Sequence, residues 1–135
     1  MNNPMKTIQF IFAILIFLST SAINAEEIRR GGSSFANIES NGDIRINGSI
    51  KGRFESSGDI RVNGSIEGKI ESDGSIRKNG SLVGKVESNG DVRINGSIKG
   101  KIESDGDVRE NGSIIGSARG IEKERAAVIF FFNFF

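Results

Sequence analysis

A glutamate recurs every sixteen residues (Glu39, Glu55, Glu71, Glu87, Glu103), and six residues after each stands an arginine (Arg45, Arg61, Arg77, Arg93, Arg109). Paired carboxylates can hydrolyse glycosides as acid and nucleophile. An active site, however, needs one asymmetric constellation, and a group repeated five times is a poor match for that. A row of solvated Glu–Arg pairs, worth about 0.2–1 kcal/mol each, accounts for the pattern. His, Cys, Tyr and Trp are all absent, which removes the commonest general base, the thiolate nucleophile and the usual zinc ligands. Asp105-Gly106-Asp107 and the Asn-Gly-Asp triplets invite a calcium reading, but the EF-hand spacing is missing and turn chemistry explains them. Asn-Gly-Ser at Asn47, Asn63, Asn79, Asn95 and Asn111 matches the glycosylation sequon in every unit. Those asparagines are equally well explained as turn residues. The expectation is therefore no catalytic, cofactor-binding or metal-binding residue, no cofactor, and no enzyme.

The elements that carry these residues come from one unit used five times over residues 38–117: IESNGDIRINGSIKGR, FESSGDIRVNGSIEGK, IESDGSIRKNGSLVGK, VESNGDVRINGSIKGK and IESDGDVRENGSIIGS. Sixteen residues before Ile44, Arg45, Gly48 and Ser49 stand Ile28, Arg29, Gly32 and Ser33, a degenerate half-unit within 26–37. Each unit has three glycines. Two follow Asn, Asp or Ser, the strongest short-range signal for two-residue hairpin turns. The third marks another turn, a bulge or a strand corner. Glycine density, β-branched apolar positions and the lack of a 3.6 period exclude helix. The chain is expected to be all-β, made of antiparallel hairpins.

Parity sharpens this. In the first unit the apolar residues Ile38, Ile44, Ile46 and Ile50 are all even-numbered, so alternation puts them on one face. The first, seventh and thirteenth positions are apolar in all five units, which predicts a core of fifteen residues in three layers. The ninth position (Ile46, Val62, Lys78, Ile94, Glu110) tolerates charge and is expected at a rim.

Residues 1–25 read as a secretory signal peptide: Lys6, an eleven-residue apolar run over 8–18, then small residues before Glu26. The run is short of the roughly 20 residues a spanning helix needs. Export to the periplasm, outer envelope or exterior follows as the expectation. Lys6 is the only charge lost, leaving 17 basic and 17 acidic residues in alternation. Nucleic acid and strongly anionic membrane surfaces call for clustered positive charge and are not expected as partners.

The tail, residues 118–135, ends in AAVIFFFNFF and holds five of the ten phenylalanines: Phe130, Phe131, Phe132, Phe134 and Phe135. Ten apolar residues cannot span a bilayer as a helix, and no series of lipid-facing strands precedes them. The simplest reading is a cap over the open end of the repeat core. The five phenylalanines are also the candidate interaction surface, since a large apolar patch marks a contact.

Five such units, the leader-like segment and AAVIFFF at 126–132 together resemble the fivefold β-flower proteins, small exported bacterial proteins, over about residues 27–135. That resemblance implies five hairpins in a fivefold pseudo-symmetric, flower-like arrangement, and it implies no activity or ligand. The N-terminal half-unit could add a sixth, composite petal with the residues after 117. A right-handed β-solenoid of the kind found in bactofilin filaments uses glycine-rich repeats of similar length. The two-residue turns argue for hairpins instead, and strand direction decides between them. The functional expectation is an exported structural or interaction scaffold, self-associating or bound to an envelope partner. The alternative is a glycan- or envelope-binding module that presents repeated loops.

Overall fold

The computed structural model describes residues 26–135. The twelve strands are β1 (Glu26–Arg30), β2 (Ser33–Ile38), β3 (Asp43–Ile46), β4 (Ser49–Phe54), β5 (Asp59–Val62), β6 (Ser65–Ile70), β7 (Ser75–Lys78), β8 (Ser81–Val86), β9 (Asp91–Ile94), β10 (Ser97–Ile102), β11 (Asp107–Glu110) and β12 (Ser113–Ser117). One helix, α1 (Lys123–Phe131), follows. Each strand pairs antiparallel with its neighbours in sequence, and β1 pairs β12, so the sheet closes into a barrel.

Turn chemistry sets the hairpins. Asn47, Asn63, Asn79, Asn95 and Asn111 have φ between 50° and 52°, and the glycine after each is also at positive φ. That is the two-residue turn whose twist suits paired strands, and Asn followed by Gly tolerates it best. Asn63→Val is expected to lower unfolding stability by about 1–2 kcal/mol, the cost of forcing a β-branched residue left-handed. Asn63→Gly should lose much less. Urea midpoints of the two variants check this, and equal losses would contradict it.

The first glycine pair behaves differently from expectation. Around Asn41-Gly42 there is no two-residue turn. Ile38 lies opposite Ile44, and Glu39 to Gly42 form a four-residue link, in which the Gly42 N–H donates to the Glu39 carbonyl at 2.8 Å and the Glu39 N–H to the Asp43 carbonyl at 2.8 Å. The connection therefore joins one hairpin to the next.

The ring has six hairpins, which corrects the fivefold arrangement. The sixth comes from the N-terminus: β1 and β2 form a complete hairpin through Gly31 and Gly32, with Ile28 opposite Ala36. It is not composite. It closes on the last unit through Arg29 opposite Ser117 and Arg30 opposite Gly116. The hairpins are numbered here one to six from this end.

The core also departs from parity in one layer. The seventh-position residues Ile44, Ile60, Ile76, Val92 and Val108 are all completely buried. The first position is buried too, apart from a half-buried Ile70. The thirteenth is not: Ile50, Ile66, Leu82, Ile98 and Ile114 are 51 to 57 % exposed. The cause is a bulge in every hairpin. In hairpin two Ile44 faces Gly52 but Arg45 faces Ile50, so Lys51 is an extra residue. One extra residue flips alternation beyond it, turning Ile50 outward beside Arg45. The ninth position is half-buried where it is Ile, Val or Lys, and Glu110 is exposed.

Candidate functional site

The barrel interior is occupied by the chain's own C-terminus. Ala126, Ala127, Val128 and Ile129 of α1 are buried in one cluster with Ile28, Ile44, Ile60, Ile76, Val92 and Val108. Two alanines in succession keep the helix slim where the surrounding wall carries the isoleucines. Beyond it the chain turns at Asn133, which has φ of 54°.

The candidate phenylalanines each meet one hairpin. The fifteenth residue of each unit is glycine and lies opposite the buried seventh position, on the inner face. A side chain at Gly116 would run into the ring of Phe130, at Gly100 into Phe131, at Gly84 into Phe132, at Gly68 into Phe134 and at Gly52 into Phe135. Five rings sit on five glycines, in reverse chain order. Hairpin one has Ala36 at the equivalent place, and the five rings are already matched. Phe132 and Phe134 are buried, Phe130 and Phe131 half-buried, and Phe135 is 37 % exposed. A closed ring has no open repeat end to cap. The tail instead fills the lumen.

At the rim position the cations meet the tail. The Lys78 ammonium donates to the Asn133 carbonyl at 2.8 Å and lies 4.9 Å from the centre of the Phe134 ring. Arg30, its counterpart in hairpin one, lies 4.4 Å from the Phe35 ring and 5.0 Å from Phe130. Cations over aromatic faces tie the tail to the mouth of the barrel. Nothing in the repeat alone marks Lys78 for this role. Its departure from Ile or Val at that position is the only sequence signal.

On the outer wall every repeated glutamate meets the arginine of its own unit. Arg45 Nε donates to Glu39 at 2.6 Å and Arg77 Nε lies 3.2 Å from Glu71, with the same pairing for Arg61–Glu55, Arg93–Glu87 and Arg109–Glu103. Each arginine also donates to a turn glycine carbonyl, Arg45 to Gly48 at 3.1 Å and Arg109 to Gly112 at 2.9 Å. Each repeated glutamate is thus held by an arginine rather than set against a second carboxylate of its own unit. Both partners are about one-third exposed, so each pair is worth little. Glu71→Gln should shift unfolding stability by less than about 1 kcal/mol, and a larger loss by urea titration would contradict that weight.

Several of the other acidic residues hold local structure. Asp105 Oδ1 accepts the Asp107 N–H at 3.0 Å, and Asp107 accepts from Arg119 at 3.2 Å. The Ser75 N–H and hydroxyl hold the Asp73 carboxyl below the usual carboxylate range, and the Ser34 hydroxyl, then Arg29, does the same for Glu27. Among the described residues no group of three or more His, Cys, Asp or Glu side chains converges as a metal site, and no helix is long and apolar enough to cross a membrane. Two grooves of about 350 and 390 Å³ lie between the inter-hairpin links and α1. The carboxylates of Glu55, Glu71 and Glu103 that border them are the ones held by arginine.

Neither a curated protein nor a solved structure matches the chain. A family model does: bactofilin, described as polymer-forming cytoskeletal, over residues 44–119. This overturns the β-flower resemblance, because the matching family is a different one. It also corrects the expectations of a signal peptide, secretion and a periplasmic, envelope or extracellular location, and with them the envelope-binding alternative, since the matching family is described as cytoskeletal. The apolar segment behind those expectations, residues 1–25, lies outside the described residues. A structural family agrees with the expectation that the chain does no catalysis. With more than half of its length matched, the chain belongs to the bactofilin family of polymer-forming cytoskeletal proteins.

Proposed function

We propose that this chain is a non-catalytic building block of a cytoskeletal polymer, assembled from intact six-hairpin barrels. The observation that carries the reading is the family match over residues 44–119. The filled lumen supports it, because α1 and the phenylalanines take up the interior where a barrel would otherwise hold a small molecule. The closed sheet narrows how subunits could join. With β1 paired to β12, the barrel presents no free edge for strand addition, so subunits meet through side chains. Negative-stain electron microscopy and sedimentation of the full chain test this. Filaments or sheets that dissociate on dilution are expected, and monomers alone across the accessible concentration range would defeat it.

A further inference from the structure

Resting on that self-association reading, we propose that the contact between copies is the outward aliphatic collar at the thirteenth position: Ile50, Ile66, Leu82, Ile98 and Ile114. Apart from Phe135, these are the exposed large apolar side chains among the described residues. The bulge places one on each of hairpins two to six, beside the Asn-Gly tips.

Hairpin one is an internal control. There Ser34 occupies the equivalent place, opposite Arg29 as Ile50 is opposite Arg45, and the hairpin forms with the same bulge. The fold therefore does not need an aliphatic residue at this point. Five half-exposed aliphatics that the fold does not need form a contact surface.

Charge identifies the occupant as a second copy. Around the collar the wall carries cations at the eighth and sixteenth positions, such as Arg45 and Arg53, and carboxylates at the second and sixth, such as Glu39 and Asp43. Over the five units these positions, together with Lys51, Glu67 and Lys99 next to the collar, hold eleven cations and ten carboxylates, a near-balance. An alternating, nearly neutral wall is complementary to another of its kind. An anionic membrane or a nucleic acid would draw on a marked excess of cations that these positions lack. Beside two of the collar residues, Leu82 and Ile98, lies a shallow groove between neighbouring hairpins. At Leu82 it measures about 240 Å³ and is lined by Val83, Gly84, Arg93 and Asn95, and at Ile98 about 250 Å³. A collar side chain from one barrel fits the groove of the next, with Arg and Lys flanking it. Hairpin one, bearing Ser34, leaves a gap in the collar and gives the contact a direction.

The test uses the full chain and two variants. Replacing all five collar residues by Ser copies hairpin one, and Ser34→Ile completes the collar. Critical concentration is read by sedimentation, fold by far-ultraviolet circular dichroism and thermal melting. The expected result is a rise of at least about tenfold for the five-serine variant, with the barrel signal kept, and a fall of several-fold for Ser34→Ile. If the five-serine chain fails to fold, Ser34→Ile alone decides, and an unchanged critical concentration overturns the proposal. A folded five-serine variant that assembles as readily as the parent also overturns it, while leaving the self-association reading intact. A parent chain that never assembles defeats that reading and the collar with it. Parent chain that stays monomeric but floats with phosphatidylglycerol vesicles, when the five-serine variant does not, assigns the collar to a lipid surface and overturns the second copy as occupant.

Discussion

A chain ending at Ile129 is expected to lose its ring. The truncation removes all five phenylalanines that lie on the inner glycines of hairpins two to six. Truncating one buried phenylalanine to alanine costs about 3–5 kcal/mol, and Phe132 and Phe134 are both almost fully buried. A domain of this size has only about 5–15 kcal/mol in total, so loss of those two rings alone approaches the whole. Nor can the vacated part of the lumen collapse, because a closed sheet holds the opposing walls apart. Circular dichroism and limited proteolysis of the truncated chain against the parent read the outcome. Single substitutions grade it: Phe132→Ala should be severe, Phe132→Leu milder, and Phe135→Ala the mildest, since Phe135 is the most exposed of the five. A truncated chain that melts where the parent does would refute the lumen-filling role.

The second large effect comes from the opposite partner. At Gly84 an added Cβ would stand 2.6 Å from Phe132 Cε1 and closer still to the carbonyl oxygen of Arg93 in the adjoining hairpin. The ring could shift, but a backbone carbonyl in a paired ladder cannot move without loosening its strand. Gly84→Ala is therefore expected to destabilise by about 3 kcal/mol, at the high end for overpacking, and Gly84→Val by more. Gly80, at the tip of the same β7–β8 hairpin, has nothing within 4 Å of an added Cβ, so Gly80→Ala pays only for its positive φ of 84°. Denaturant midpoints for the two alanine variants give the comparison. Equal losses would mean that close approach at the inner wall has no special weight. Because the Arg93 carbonyl remains, adding Phe132→Ala to Gly84→Ala should not restore stability.

Much of this architecture was legible in the repeat. Asn-Gly pairs dictated antiparallel hairpins, and apolar first and seventh positions marked two core layers. The thirteenth position misled because its residues are as apolar as the core. Their exposure follows from a single extra residue, such as Lys51, just ahead of the third glycine. That glycine is open to a turn, a bulge or a strand corner, and periodicity carried straight through it points Ile50 the wrong way. The sixth hairpin was obscured by divergence: Ala36 replaces glycine, Ser34 replaces isoleucine, and Gly31-Gly32 replaces Asn-Gly. The tail's phenylalanines stood out by composition, yet their one-to-one match to glycines sixteen residues apart is a relation between distant segments that no local pattern shows. A solenoid of the bactofilin-filament kind also suits the repeat length, and the two-residue turns argue against its parallel strands. Strand direction is decided by turn residues, and those do make hairpins here. Family membership rests on similarity over residues 44–119 and is independent of it.

The pairing of rings with glycines has a consequence for how such a chain can change its copy number. Tandem units are ordinarily free to be duplicated or dropped, since each contacts only its neighbours. Here every added or lost unit also adds or removes one inner glycine, and the tail holds a fixed set of five rings to meet them. A duplication would leave one blade of a wider ring without a filler. A deletion would crowd a surplus phenylalanine into a narrower one. Repeat number and tail composition can therefore change only together, and the last six residues act as a tally of the eighty that make up the array.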